Sequence, residues 1–130
     1  MEMKKMTMSV TNGSITFENR EDRAEEIPWN RHPRFKGVSL KHLVKGADTE
    51  GMVSCHIVRL DPEAVLEDHV HEGQWELHEV VEGDGTFFLG LRETAYWPGQ
   101  MAVIPKGVTH KVVAGKSGLL LLATFFPASV

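Results

Sequence analysis

The residues of this chain best suited to chemistry lie between His69 and Gly83, where three histidines and four glutamates fall within fifteen positions. His69 and His71 are two apart, so on a strand both rings leave from one face. Glu76 follows after a four-residue connection and opens an apolar run that ends at Val80-Val81, ahead of a turn at Gly83-Asp84-Gly85. Two imidazoles and a carboxylate aimed at one point are the donors of a divalent metal site. Gln74 and Glu79 rival Glu76 for the third position, but Glu79 has the opposite strand parity and is expected to face outward, as is Glu72 directly after His71. A fourth donor is offered by His110, which opens a strand after the turn-forming run Pro105-Lys106-Gly107.

The elements that must carry these residues read as short strands. Val38–Val44, Met52–Leu60, Val65–His71, Glu76–Glu82, Thr86–Leu91, Thr94–Trp97, Met101–Ile104, Thr109–Val113 and Leu119–Phe126 follow one another, divided by glycine or charged turns. Many short strands at close spacing predict an all-β barrel or sandwich. No helix is required after residue 28. Upstream, Asn12-Gly13 between Met8-Ser9-Val10 and Ile15-Thr16-Phe17 is a hairpin signal. The charged stretch 18–28 reads as a short helix or a loop. Pro28 to Phe35, with two prolines and two aromatics, reads as an extended arm lying on a surface. Residues 1–37 are therefore expected to form an N-terminal hairpin and arm, and 38–130 the barrel. The last strand, Gly118–Phe126, is apolar on both faces, which requires cover from the arm or from a second copy of the chain; a homodimer is the favoured expectation.

Composition narrows the function classes. The chain has 130 residues, enough for one domain, with 42% hydrophobic and 25% charged residues. The longest apolar runs fall short of the roughly 18 residues of a membrane helix, and no apolar segment follows the N-terminal lysines to make a signal peptide. A lone cysteine, Cys55, cannot close an internal disulfide and fits a reducing compartment, so a cytoplasmic protein is expected. Residues 61–91 contain nine Asp or Glu and no Lys or Arg. That balance argues against nucleic acid as a partner and favours cations.

With these residues in view, the sequence resembles the cupins, small double-stranded β-helix or jelly-roll barrels. The first cupin motif, G-x5-H-x-H-x3,4-E-x6-G, falls on His69, His71, Glu76 and Gly83. The second, G-x5-P-x-G-x2-H-x3-N, falls on Gly99, Pro105, Gly107 and His110. Fifteen residues separate Gly83 from Gly99. Two positions depart: Glu63 stands for the leading glycine of the first motif and Ala114 for the closing asparagine of the second. Both lie outside the donor set. The resemblance implies that His69, His71, Glu76 and His110 bind one transition metal ion (Fe, Mn, Ni or Zn) inside the barrel, with coordination positions left for water, substrate or dioxygen.

Strand parity adds further pocket candidates. His78 shares the face of Glu76, so it is either a catalytic acid or base or a histidine bonded to the donor carboxylate. His56 and Gln74 are pocket candidates, Cys55 reads as a small buried apolar residue, and Trp29 and His32 are candidates to close the pocket mouth. Three functions follow. The first is a metalloenzyme acting on a polar small molecule, of oxygenase or isomerase, epimerase or lyase type. The second is a non-catalytic cupin that binds a sugar or acid, or senses a metal. The third uses the metal only to staple the barrel.

Overall fold

A computed structural model describes residues 10–130 of the chain. Its strands in chain order are β1 (Ser14–Thr16), β2 (Glu21–Arg23), β3 (Asn30–Arg31), β4 (Val38–Val44), β5 (Ser54–Leu60), β6 (Val65–His69), β7 (Trp75–Leu89), β8 (Arg92–Tyr96), β9 (Met101–Ile104) and β10 (His110–Phe126). The only helical pieces among the described residues are single 3₁₀ turns at Ala24–Glu26 and Gly46–Asp48. All pairings are antiparallel. The fold is the expected all-β jelly-roll barrel.

Two long strands organise it. β10 pairs with β7 along almost its whole length, and uses its other edge for β6 in its first half and β5 in its second. One sheet therefore runs β3-β4-β5-β10-β7-β9, and the other places β6, β10, β7 and β8 side by side. The sequence reading divided each long strand in two, with turns at Gly83-Asp84-Gly85 and between Val113 and Leu119. The structure corrects this. Both stretches are irregularities within continuous strands, where pairing steps from Ala114↔Gly85 to Leu119↔Gly83. Glycine is needed at the crossing: a Cβ on Gly83, whose φ is +85°, would sit 2.1 Å from the Gly118 carbonyl oxygen. The glycines thus mark a close approach of two backbones, where sequence alone suggests a reversal.

Inward-facing residues of both sheets, among them Val58, Leu60, Val80, Phe87, Tyr96, Ile104, Val112 and Leu121, form the core between the sheets. The opposite face of the first sheet carries a second apolar layer. There Leu43, Ile57 and Leu120 pack under Ala24, with Val10, Ile15, Ile27 and Trp29 beside them. This layer explains why the last strand is apolar on both faces: Leu119 and Leu121 enter the barrel, while Leu120 and Leu122 meet the N-terminal segment of the same chain. The cover that suggested a second subunit is thus supplied within the chain. Polar anchors reinforce it, since Lys41 Nζ donates to the Ala24 carbonyl at 2.6 Å and the guanidinium of Arg59 lies 4.2 Å from the Trp29 ring centroid. The hairpin seen in this segment pairs β1 with β2 and closes through residues 17–20. Apart from Val10, the first arm of the hairpin expected about Asn12-Gly13 lies outside the described residues.

Candidate metal centre

His69 ends β6, and its Cα partner across the ladder is His110, the first residue of β10. The two rings lie 4.0 Å apart, centroid to centroid. His71 lies beyond the end of β6, contrary to the expectation that the strand carries both histidines. A loop holds it, and its carbonyl accepts the Gly107 N–H at 2.9 Å. That bond ties the His71 loop to the turn that launches His110. Glu76 points inward from β7 and is 4% exposed. The two motifs, remote in sequence, thus form one wall.

The ring orientations are set by the backbone. His69 Nδ1 lies 2.8 Å from the Glu67 carbonyl, and His110 Nδ1 lies 3.0 Å from that of Val108. In each case the carbonyl belongs to the residue two positions earlier. A carbonyl accepts only, so both rings carry a proton on Nδ1 and turn Nε2 toward the site, where a neutral ring offers its lone pair. One donor atom from each of His69, His71, Glu76 and His110 lies within 4.8 Å of every other.

Glu76 Oε1 is 3.2 Å from His71 Nε2 and 3.3 Å from His110 Nε2. Yet all three atoms are buried and lack a partner in hydrogen-bonding geometry. Each such orphan costs about 1–3 kcal/mol, and three converging on one point are donors that a divalent cation would satisfy. The donor set fits such an ion. Burial and the neighbouring His110 hold the His69 imidazole down to about 4, so it is neutral at pH 7 as a metal ligand must be. Burial opposes charge on Glu76, but His78, His110 and His71 around it outweigh this and hold its carboxyl well below the usual range.

His78 is brought to Glu76, though on the side away from the cavity. Its Nε2 is 2.8 Å from Glu76 Oε2 and its Nδ1 is 3.0 Å from the Tyr96 hydroxyl. Tyr96, whose phenol is pushed further up by burial and the Glu76 charge, donates to Nδ1, and Nε2–H donates to the carboxylate. His78 is 1% exposed and does not line the cavity. Of the two roles considered for it, this placement matches the histidine bonded to the donor carboxylate, at Oε2 and not at Oε1. Tyr96 is the outer end of this chain of bonds.

The cavity in front of the four donors measures about 190 Å³. That is room for about six waters. His69, His71 and Glu76 line one side, and His32, His42, His56 and Ser129 contribute the other polar groups among apolar Val38, Leu40, Val58, Leu66 and Phe125. His56 thus lines the cavity. Gln74 is not among its lining residues, because it precedes β7 in the loop and lacks the strand geometry that turns Glu76 inward. His32 reaches the mouth, whereas Trp29 packs in the outer layer. Sequence reasoning missed His42 and Phe125. His42 sits opposite His56 on the β4–β5 ladder, a register no single-strand pattern reveals. Phe125 holds His71 edge-on at 5.0 Å.

Comparison with known proteins agrees with this architecture. The sequence profile described as "Cupin domain" matches residues 56–125. The solved structure of KdgF from Halomonas sp. is 24% identical with a TM-score of 0.70, covering 79% of this chain and 90% of that one. A predicted oxalate decarboxylase from Thermotoga maritima is 22% identical with a TM-score of 0.74, covering 81% of this chain and 96% of that one. Oxalate decarboxylase from Bacillus subtilis, a protein with Mn(II) centres, is 18% identical with a TM-score of 0.70, covering 82% of this chain and 29% of that one. At these identities the likeness concerns the fold. No curated protein matches the sequence.

Proposed function

Because the chain belongs to the cupin family, we propose that it is a metal-dependent cupin enzyme that transforms a small polar molecule at the site formed by His69, His71, Glu76 and His110. The observation that carries this reading is the convergence of four donor atoms, three of them buried and without a hydrogen-bond partner. Two or three imidazoles with one carboxylate suit Fe, Mn, Ni or Zn. When bound, such an ion supplies a Lewis acid able to polarise a carbonyl or carboxylate oxygen. The chain supplies the rest. Glu67 and Val108 carbonyls fix two rings, and Tyr96 and His78 fix the carboxylate. The 190 Å³ cavity limits the substrate to a small molecule. The Mn(II) centres of the Bacillus subtilis oxalate decarboxylase support a divalent ion.

The test is the metal content of the purified protein, followed by substrate conversion and oxygen uptake by the loaded form across small carboxylates and sugars. One divalent ion per chain with turnover abolished in H110A supports an enzyme. A loaded protein that binds such molecules and converts none supports a binding or sensing cupin instead.

The cytoplasm is carried as the proposed location. A homodimer is likewise proposed, now on different grounds: the outer face of β7 and β9 leaves Trp75, Met101 and Val103 exposed at 38%, 53% and 54%. Light scattering after size exclusion decides it; a monomer at micromolar concentration contradicts it.

A further inference from the structure

Across the cavity from the four donors lies a second histidine cluster. His42 Nδ1 and His56 Nδ1 are 2.7 Å apart, and His56 Nε2 is 3.0 Å from Ser54 Oγ and 3.3 Å from Ser129 Oγ. Ser54 Oγ in turn accepts the Ser129 N–H at 2.9 Å and lies 3.2 Å from Ser129 Oγ. So short a contact between two ring nitrogens holds one hydrogen, donated from one side. Two arrangements satisfy every partner. In the first, His56 Nδ1–H donates to His42, His56 Nε2 accepts the Ser54 hydroxyl, and His42 carries its own proton on Nε2. In the second, His42 Nδ1–H donates to His56, His56 Nε2–H donates to Ser54 Oγ, and the Ser54 hydroxyl turns to Ser129; His42 Nε2 then bears a lone pair. Passing between them moves one hydrogen across the pair, relocates the ring protons and rotates a hydroxyl, with no net charge and no bond lost.

Burial holds His56 down to about 4, with His42 acting in the same direction, and burial lowers His42 too, so both rings are neutral at pH 7. His42 is half-buried, and its Nε2 has no hydrogen-bond partner among the described residues. Both histidines line the same 190 Å³ cavity as His69, His71 and Glu76. So small a shared cavity brings a molecule held at the four donors close to His42 as well.

We infer that His42 is the second binding group of this cavity: its Nε2 hydrogen-bonds the far polar atom of a molecule held at the metal, and the His42–His56–Ser54 network sets whether it donates or accepts. The inference rests on the metal reading proposed above. It assigns the ligand a chemistry, namely an oxygen donor for the metal with a second polar atom close behind it. An anionic oxygen there selects the first arrangement, with His42 Nε2–H as donor.

The test uses the zinc-loaded protein with ¹⁵N-labelled histidines and acetohydroxamate as the probe, a small anionic chelator of divalent ions. At saturation the His42 ring is expected to carry its proton on Nε2 and the His56 ring on Nδ1, seen in long-range ¹H–¹⁵N correlations. H42F should weaken acetohydroxamate about tenfold or more, the range of a hydrogen bond to a charged group, with zinc affinity unchanged. H42Q, which keeps a donor at the end of the side chain, should restore most of that loss. Unmoved His42 ring signals at saturation overturn the inference, and this readout needs no variant to fold. Equal probe affinity in H42F and wild type overturns it as well. Failure of acetohydroxamate to bind the protein in the presence of zinc refutes instead the metal reading beneath it.

Discussion

Two sides of the cavity are both rich in histidine, yet their hydrogen bonding is opposite. On the wall formed by β6, β7 and β10, His71 Nε2, Glu76 Oε1 and His110 Nε2 meet and leave one another unbonded. On the wall formed by β4 and β5, the His42–His56 contact is closed and its ends are tied to Ser54 and Ser129. Clustering of titratable groups therefore does not by itself identify a metal site. Unsatisfied convergence is what favours one, because an added cation would relieve the cost of burying lone pairs face to face. A satisfied cluster is instead a hydrogen-bond relay, able to change tautomer without changing charge.

Variants can break this contrast, the largest effect first. Replacing a donor by H110A or H69A should lower divalent metal affinity by more than about 100-fold, beyond the effect typical of outer partners. H56F should leave it within about threefold. Isothermal titration of the metal-free proteins measures both, and equal losses from the two walls would erase the distinction. Next, H78Q should weaken metal by about 10- to 100-fold, the range for groups that orient a ligand, and Y96F by about tenfold at most, since it acts through His78. Unchanged affinity in H78Q would mean that Glu76 is held by its own strand.

The satisfied wall predicts a pH response. Burial holds His56 down to about 4 in the folded chain against the ordinary 6.5, so the unfolded state binds more protons between those values. Stability associated with the neutral ring is complete above 6.5 and declines as pH falls from 6.5 toward 4. The urea midpoint of the metal-free protein should therefore drop between pH 7 and pH 5, and drop less in H56F. Parallel slopes would contradict the buried neutral pair. Smallest of all, Q74A should change metal affinity by less than about twofold and stability by no more than about 0.5 kcal/mol, as for a substitution outside such networks.

Much of the metal wall was legible in the sequence because its information is local. HxH, the parity of Glu76 against Glu79, and the Pro105–Gly107 turn before His110 each depend on a few adjacent residues. The barrel followed from many short strands. What escaped depends on register between distant strands. Nothing near His42 announces that it faces His56, fourteen positions away, and nothing near Tyr96 announces a bond to His78. Gly83 and Gly118 misled for a related reason, since a glycine that opens a turn and one that admits a crossing backbone look alike until the partner strand is seen. His78 was correctly aimed inward by parity, but parity could not tell the front of Glu76 from its back. The two-faced apolarity of β10 was read correctly as a demand for cover. Only the packing of Ala24, Ile27 and Trp29 identified what covers it.

The most direct test of the central claim is calorimetric titration of Mn(II) into metal-free wild type and into an H69A/H110A double variant that retains the wild-type circular dichroism spectrum. One ion per chain in the wild type and none in the variant at the same concentrations is the predicted result. No binding in the wild type, or equal binding in both, would contradict a metal centre at His69, His71, Glu76 and His110.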